Sequence, residues 1–279
     1  MRKQKKIEIT THHDIFYPSD KNEISKMIIE CEKKYKAKDK TDSKVFIVPH
    51  ASYQFILGLL VNIFTSVKDD FDKILIVAPS HLKQIDVNSN INLFAPTYEA
   101  IKTPLGLLQF NKDVIDSHFK ENMNNDTYFE EESSFEQLYI LVQHYFENKK
   151  VIPICAVIEN SKQSKDFSSI LNTIIDEKTL IFISANACSY QKSNLAYKKT
   201  SEFINALTTN TKLLQLQKKN IIDSCGCGII DSIIKTKLYK DRGWNIELTE
   251  IENNISKNLV QLNTTNKCVY HITASIKEN

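Results

Sequence analysis

A chain of 279 residues with 42% hydrophobic and 25% charged residues is long enough to bury a substantial core, and its length fits one large α/β domain about as well as two small ones. A formal net charge of +2 is near balance, which removes the electrostatic case for a nucleic acid or an anionic membrane as partner. The basic opening Met-Arg-Lys-Gln-Lys-Lys runs into Ile7-Glu-Ile-Thr-Thr rather than into a signal core or transit segment. The richest apolar stretch, Phe55 to Phe64, is too short to span a bilayer, so the expectation is a cytoplasmic protein. The six cysteines show no Cys-x-x-Cys spacing and are expected mostly as buried thiols.

In chain order, Ser19-Asp-Lys-Asn-Glu-Ile caps a helix carrying Ile24, Met27, Ile28 and Cys31 at helical spacing. The lysine-rich stretch 33–44 reads as a solvated helix end and loop. Strand 45–49, helix 54–66 and strand 73–78 form a βαβ unit, and both strands are continuously apolar, as a covered parallel sheet requires. Residues 85–115 suggest a short antiparallel excursion. Ser133-Ser-Phe-Glu136 has the pattern of a capping box before a helix that buries Leu138, Ile140, Leu141, Val142 and Tyr145.

Strand 151–158, helix 165–175, strand 179–184, helix 196–217 and helix 227–239 continue the alternation. The segments 244–251 and 267–276 alternate apolar and polar residues, as an antiparallel pair at a sheet edge would. The pattern predicts a single domain over 1–279: α/β, with a mainly parallel sheet, helices on both faces and antiparallel edge strands.

Three residues carry the chemistry. His50 ends the run Lys44-Val-Phe-Ile-Val-Pro-His, and His81 ends Lys73-Ile-Leu-Ile-Val-Ala-Pro-Ser-His. Cys225 opens Cys-Gly-Cys-Gly before the apolar run Ile229 to Leu238. Open α/β sheets place ligands at strand carboxyl ends, and two imidazoles with one thiolate there make a three-ligand metal site with an open position. The plainer alternatives are histidines that cap strand ends and an inert thiol in a turn whose glycines free the backbone. A helix N-terminus after Cys225 would lower its pKa.

Glu132 and Glu136 lie one helical turn apart and are candidates for a general acid. The capping box accounts for Glu136, and a solvated acidic run from Glu130 accounts for Glu132. Asn186 ends an apolar strand beside the same crevice, either as a pocket residue or as a turn residue. His12 and His13 read as a solvated pair, and His118, His144 and His271 receive no role.

Taken in order, Phe16-Tyr-Pro-Ser-Asp, Val48-Pro-His-Ala-Ser-Tyr53, Ala78-Pro-Ser-His81, Thr103-Pro-Leu-Gly106, Glu132-Ser-Ser-Phe-Glu136, Ser184-Ala-Asn186 and Cys225-Gly-Cys-Gly228 resemble the Memo family. In prokaryotes that family is also called AmmeMemoRadiSam system protein B. The resemblance implies the fold of the class III extradiol ring-cleaving dioxygenases, with cysteine in place of their carboxylate ligand. The matching ligands are His50, His81 and Cys225, and the metal implied is iron or copper, with zinc as a further option.

The same resemblance keeps Glu136 and Asn186 as candidate catalytic residues of the pocket and implies an unknown small-molecule substrate or ligand. It also implies radical-SAM and Ammecr-type partner proteins. Two segments depart from the family pattern. Glu-His-Ser reads Glu132-Ser133-Ser134, and Ser-Ser-Asp-x-Ser-His-Tyr reads Ser184-Ala185-Asn186-Ala187-Cys188-Ser189-Tyr190. Two histidines and an aspartate are therefore missing, and asparagine is no base near neutral pH. Three functions stay open: metal-dependent, dioxygenase-like redox chemistry, a non-enzymatic binding module, and a Cys225-nucleophile hydrolase or transferase.

Overall fold

A computed structural model describes residues 6–34, 40–82, 92–119, 126–240, 244–253 and 266–277. The basic opening, much of the lysine-rich stretch and the start of the 85–115 excursion lie outside them in whole or part. The first half comprises β1 (Ile7–Ile9), α1 (Lys21–Lys34), β2 (Val45–Val48), α2 (Tyr53–Ser66), β3 (Lys73–Pro79), β4 (Asn92–Phe94), β5 (Ala100–Thr103), β6 (Gly106–Gln109), α3 (Lys112–His118), α4 (Thr127–Glu130) and α5 (Glu136–Tyr145). The second comprises β7 (Lys150–Val157), α6 (Ser161–Ile174), β8 (Thr179–Ser184), β9 (Gln191–Lys192), α7 (Ser193–Thr208), α8 (Leu213–Lys218), α9 (Cys227–Ile233), α10 (Lys237–Lys240), β10 (Asn245–Asn253), β11 (Lys267–Cys268) and β12 (Tyr270–Lys277).

The main sheet has seven strands in the order β10, β12, β2, β8, β3, β7, β4. The four central strands run parallel, and β12, β10 and β4 are antiparallel to their neighbours. The sheet is thus mixed, and its parallel character belongs to the centre. β2, β8 and the interior of β3 are wholly buried, which matches their unbroken apolar sequences. The tail pair forms as expected, with β10 at the edge. β12, however, lies between β10 and β2 and packs against α2 and α7, and its polar His271, Thr273 and Ser275 are buried rather than solvated.

α2 is apolar nearly all round because it is covered on several sides, by α1, α5 and the sheet. Phe64 on α2 stacks on Phe182 of β8 at 4.7 Å between ring centres, which fixes the helix over the central strands. Two long helices anticipated from periodicity are each split. After α7, Asn210 adopts φ 56° while Thr211 N–H reaches back to Ala206 O, closing the helix with a left-handed residue before α8 begins. The 227–239 segment breaks at Thr236, whose hydroxyl donates to Ile233 O.

The expected capping box also fails. Phe135, whose side chain has no acceptor, occupies the N-cap of α5, and the Glu136 carboxylate is engaged by the N-terminal arm rather than by the start of its own helix. Among the described residues no helix is long and apolar enough to cross a membrane.

Gly226 and Gly228 serve close packing rather than unusual backbone angles, since neither has positive φ. A Cβ on Gly226 would overlap the Ala185 side chain, and one on Gly228 would overlap the Ile158 carbonyl oxygen, which is rigid backbone. The start of α9 is therefore pressed against the carboxyl ends of β8 and β7, and that contact carries Cys225 into the crevice. Gly228→Ala should destabilise the fold by about 1–3 kcal/mol or more. A thermal melt followed by circular dichroism checks this; an unchanged midpoint would contradict the packing account.

Candidate metal centre

Three neighbouring parallel strands deliver the site by one rule. β2 ends at Val48, β8 at Ser184 and β3 at Pro79, and two residues beyond each lie His50, Asn186 and His81. Cys225 arrives from the turn before α9. The ligating atoms of His50, His81 and Cys225 all lie within 4.8 Å of one another. The two imidazole rings stand edge to face at 5.0 Å, and His50 Nε2 is 3.7 Å from Cys225 Sγ.

The hydrogen bonds behind the rings determine which nitrogen faces inward. Ser184 Oγ donates its single proton to Ser134 O at 2.9 Å. His50 Nδ1, 2.9 Å from the same Oγ, must therefore be the donor in that pair. Its Nε2 is then free to ligate. His81 Nδ1 lies 3.0 and 3.1 Å from the two oxygens of Glu132, so its proton also points outward. This donor set fits a metal ion: two imidazoles oriented through Nδ1 and a thiol between their Nε2 atoms.

Glu132 is not the solvated acid that its neighbours suggest. It is buried, and it accepts from His81 N at 2.7 Å, Ser134 Oγ at 2.8 Å and Ser134 N at 3.2 Å. Burial alone would raise its pKa, but the His81 ring and these donors hold it below the usual carboxylate range. Ser134 supports both histidines at once: its N–H and O–H brace Glu132 behind His81, and its carbonyl anchors Ser184 behind His50. No short-range signal in the sequence marks Ser134 or Ser184 for that part.

Burial works against ionisation of Cys225, yet the charge of His50 and hydrogen bonds from His50 and His81 override it and bring the thiol down to about 6. His81 is pushed up to about 10 by its hydrogen bonds to Cys225 and Glu132. The neighbouring imidazoles, rather than a helix terminus, activate the thiol, since α9 is only seven residues long. Cys227 is fully buried, and burial drives its pKa up, so it takes no part.

Asn186 lines the same crevice but spends its amide on the backbone, with Oδ1 accepting from His50 N at 3.3 Å and Nδ2 donating to His50 O at 2.9 Å. Its own N–H points at Cys225 Sγ, 3.3 Å away. Glu136 stands outside the cluster. It accepts from Thr11 N and His12 N, both at 2.9 Å, and from the Tyr17 hydroxyl, so it ties the N-terminal arm to α5. His12 is drawn into that cluster at 3.2 Å from Glu136, whereas His13 stays half-exposed beside Asp14. Ser189 donates to Asp223, which also receives Gln191 and Lys199.

The three candidate ligands open into a cavity of about 640 Å³. Its mouth is apolar, formed by Phe16, Phe55 and Val269 with Ile15 at 72% and Tyr190 at 63% exposure. A larger cavity of about 700 Å³ lies at the opposite, amino-terminal ends of the central strands, beside Lys40, Lys44, Asp70 and Asp176. Its charges pair locally, as Lys44 with Asp70 at 3.2 Å, and no ligating cluster occurs there among the described residues.

An α/β sheet with a His/His/Cys cluster at its parallel-strand ends defines a protein with a candidate metal centre in a topologically expected place. The model for Memo-like proteins matches residues 10–252, and the chain belongs to that family. A MEMO1 family protein of Pyrobaculum aerophilum is 23% identical over 198 residues, covering 67% of this chain and 69% of that one. One of Nitrosopumilus maritimus is 24% identical over 237 residues, covering 78% and 82%.

In metal-free protein the thiolate fraction of Cys225 rises with pH through a midpoint near 6, against about 8.5 for an ordinary cysteine. Its iodoacetamide rate should therefore be flat above about pH 7 and fall roughly tenfold per unit below pH 5, consistent with one titrating proton. Peptide mapping across pH 4–9 measures it; a midpoint above 8 would contradict the imidazole–thiolate pairing.

Proposed function

We propose that this Memo-like chain holds one metal ion, iron or copper with zinc as a further option, through His50 Nε2, His81 Nε2 and Cys225 Sγ. The single observation that supports this is the protonation pattern. Ser184 and Glu132 claim the Nδ1 protons of both histidines, which leaves two Nε2 atoms beside one activated thiol. A bound ion would supply Lewis-acid and redox capacity at the floor of the cavity.

The chain's own residues divide the remaining work. Glu132 fixes the His81 ring and balances its charge. Ile15, Phe16, Phe55 and Tyr190 would receive a small, largely apolar substrate and exclude water around it. The dioxygenase-like fold implied by the family resemblance makes oxygen-dependent oxidation of such a molecule the leading reaction class.

A second reading, a binding module without catalysis, draws on the same cavity. Ser133, Asn186 and Ser189 stand where the family pattern carries ionisable groups, and Asn186 and Ser189 are already committed to His50 and Asp223. A third, with Cys225 as a metal-free nucleophile, draws on the depressed thiol pKa.

Elemental mass spectrometry of protein purified without tag metal separates them. About one equivalent of metal is expected in the wild type, with strong loss in His50→Ala, His81→Ala and Cys225→Ser. Oxygen uptake with apolar substrates would then favour the redox reading over the binding module. Stoichiometric metal retained in all three variants would sink the ligand assignment, and a wild type that takes up no metal after anaerobic reconstitution would favour thiol chemistry.

A further inference from the structure

Asn186 reads both polar groups of the His50 peptide backbone, and its orientation follows from their chemistry. His50 N–H can only donate and His50 C=O can only accept, so Oδ1 faces the first at 3.3 Å and Nδ2 faces the second at 2.9 Å. His271 Nδ1 lies 2.9 Å from that same Oδ1. An amide oxygen donates nothing, so His271 Nδ1 carries the proton and completes the pair of hydrogen bonds that Oδ1 can accept.

His271 sits on β12 and is buried, with 1% of its surface exposed. Its other nitrogen, Nε2, has no hydrogen-bond partner among the described residues. A buried imidazole with one nitrogen left unpaired by protein is a costly way to fill space. What the imidazole supplies that an apolar side chain of similar volume does not is the Nδ1–H. Burial also pushes its pKa down to about 3, so the ring is neutral and its donor does not change with pH in the working range.

We infer that His271 is a positioning residue of the metal centre, which locks the Asn186 amide and through it the backbone of His50, and so sets the direction in which His50 Nε2 meets the ion. This rests on the metal-binding reading above. Rotation of a freed Asn186 side chain would release both His50 backbone bonds together, leaving Ser184 alone to orient the imidazole. His271 touches no ligand in this scheme; its effect is transmitted over two hydrogen bonds.

Cobalt(II) titration of the full-length, metal-free protein tests the inference through thiolate-to-metal charge-transfer and ligand-field bands, with affinity taken from chelator competition. His271→Phe should weaken cobalt binding about 10–100-fold, the range for lost outer-sphere partners, and shift the ligand-field bands. His271→Asn places an amide N–H where Nδ1–H stands and should restore both affinity and spectrum, although it lacks Nε2.

Wild-type affinity and bands in His271→Phe would overturn the inference. So would a folded His271→Asn that binds tenfold weaker with shifted bands, and that variant decides the matter alone if His271→Phe does not fold. A wild type without the charge-transfer band would overturn the metal reading and this inference with it.

Discussion

Parallel strands cannot be joined by tight turns, so each must be left at its carboxyl end and re-entered after a crossover. The consequence here is geometric. β2, β8 and β3 lie side by side, all release the chain at the same edge, and the residue two positions past each is a polar side chain of the site. The shared strand direction brings positions 50, 81 and 186 together. The apolar monotony of these strands therefore does more than fill the core. It obliges the sheet to be covered on both faces, forces helical crossovers, and so concentrates the loop chemistry at one edge.

The electrostatics of the site follow from the same compression. A thiol carried into a crevice by close packing of Gly226 and Gly228 would ordinarily be driven toward its neutral form, as Cys155 and Cys227 are. Cys225 goes the other way because two imidazoles face it, and one of them is backed by the buried carboxylate of Glu132. That carboxylate is in turn tolerable only because Ser134 and the His81 backbone satisfy it. Ser134 is thus the point where the supports of His50 and His81 meet. A change there is transmitted to both rings without touching either.

The sequence made the central strands and the tail pair, most helices and the trio His50, His81 and Cys225 legible, since each depends on local pattern, and for the histidines that pattern is an apolar run and then a side chain able to ligate. It did not reveal Glu132, Ser184 or His271 as supports, because those bonds join residues 51, 134 and 85 positions from their partners. Local rules also misassigned residues whose tertiary partners outbid local ones. Glu136 fits a capping box by spacing, yet the N-terminal arm offers its carboxylate three donors. β12 alternates like an edge strand, yet β10 takes the edge and α2 and α7 pack on β12. Periodicity carried on through residue 210, where a single left-handed asparagine ends α7.

Asn186 shows why a departure from a family pattern need not be a simple loss. The family resemblance implies an aspartate at this position, and a carboxylate there has no proton to give the His50 carbonyl. It would instead present a lone pair to that oxygen and leave one of the two backbone bonds unmade. The amide makes both bonds and still has one acceptor lone pair left, and His271 Nδ1–H fills it. Asparagine at 186 and histidine at 271 are therefore consistent as a pair: a neutral donor matches a neutral amide in a buried place. An aspartate beside the same histidine would pull a proton onto the ring and set a second ion pair beside the one at His81 and Glu132. The substitution removes a possible base from the crevice and puts in its place a charge-free mount for the His50 backbone.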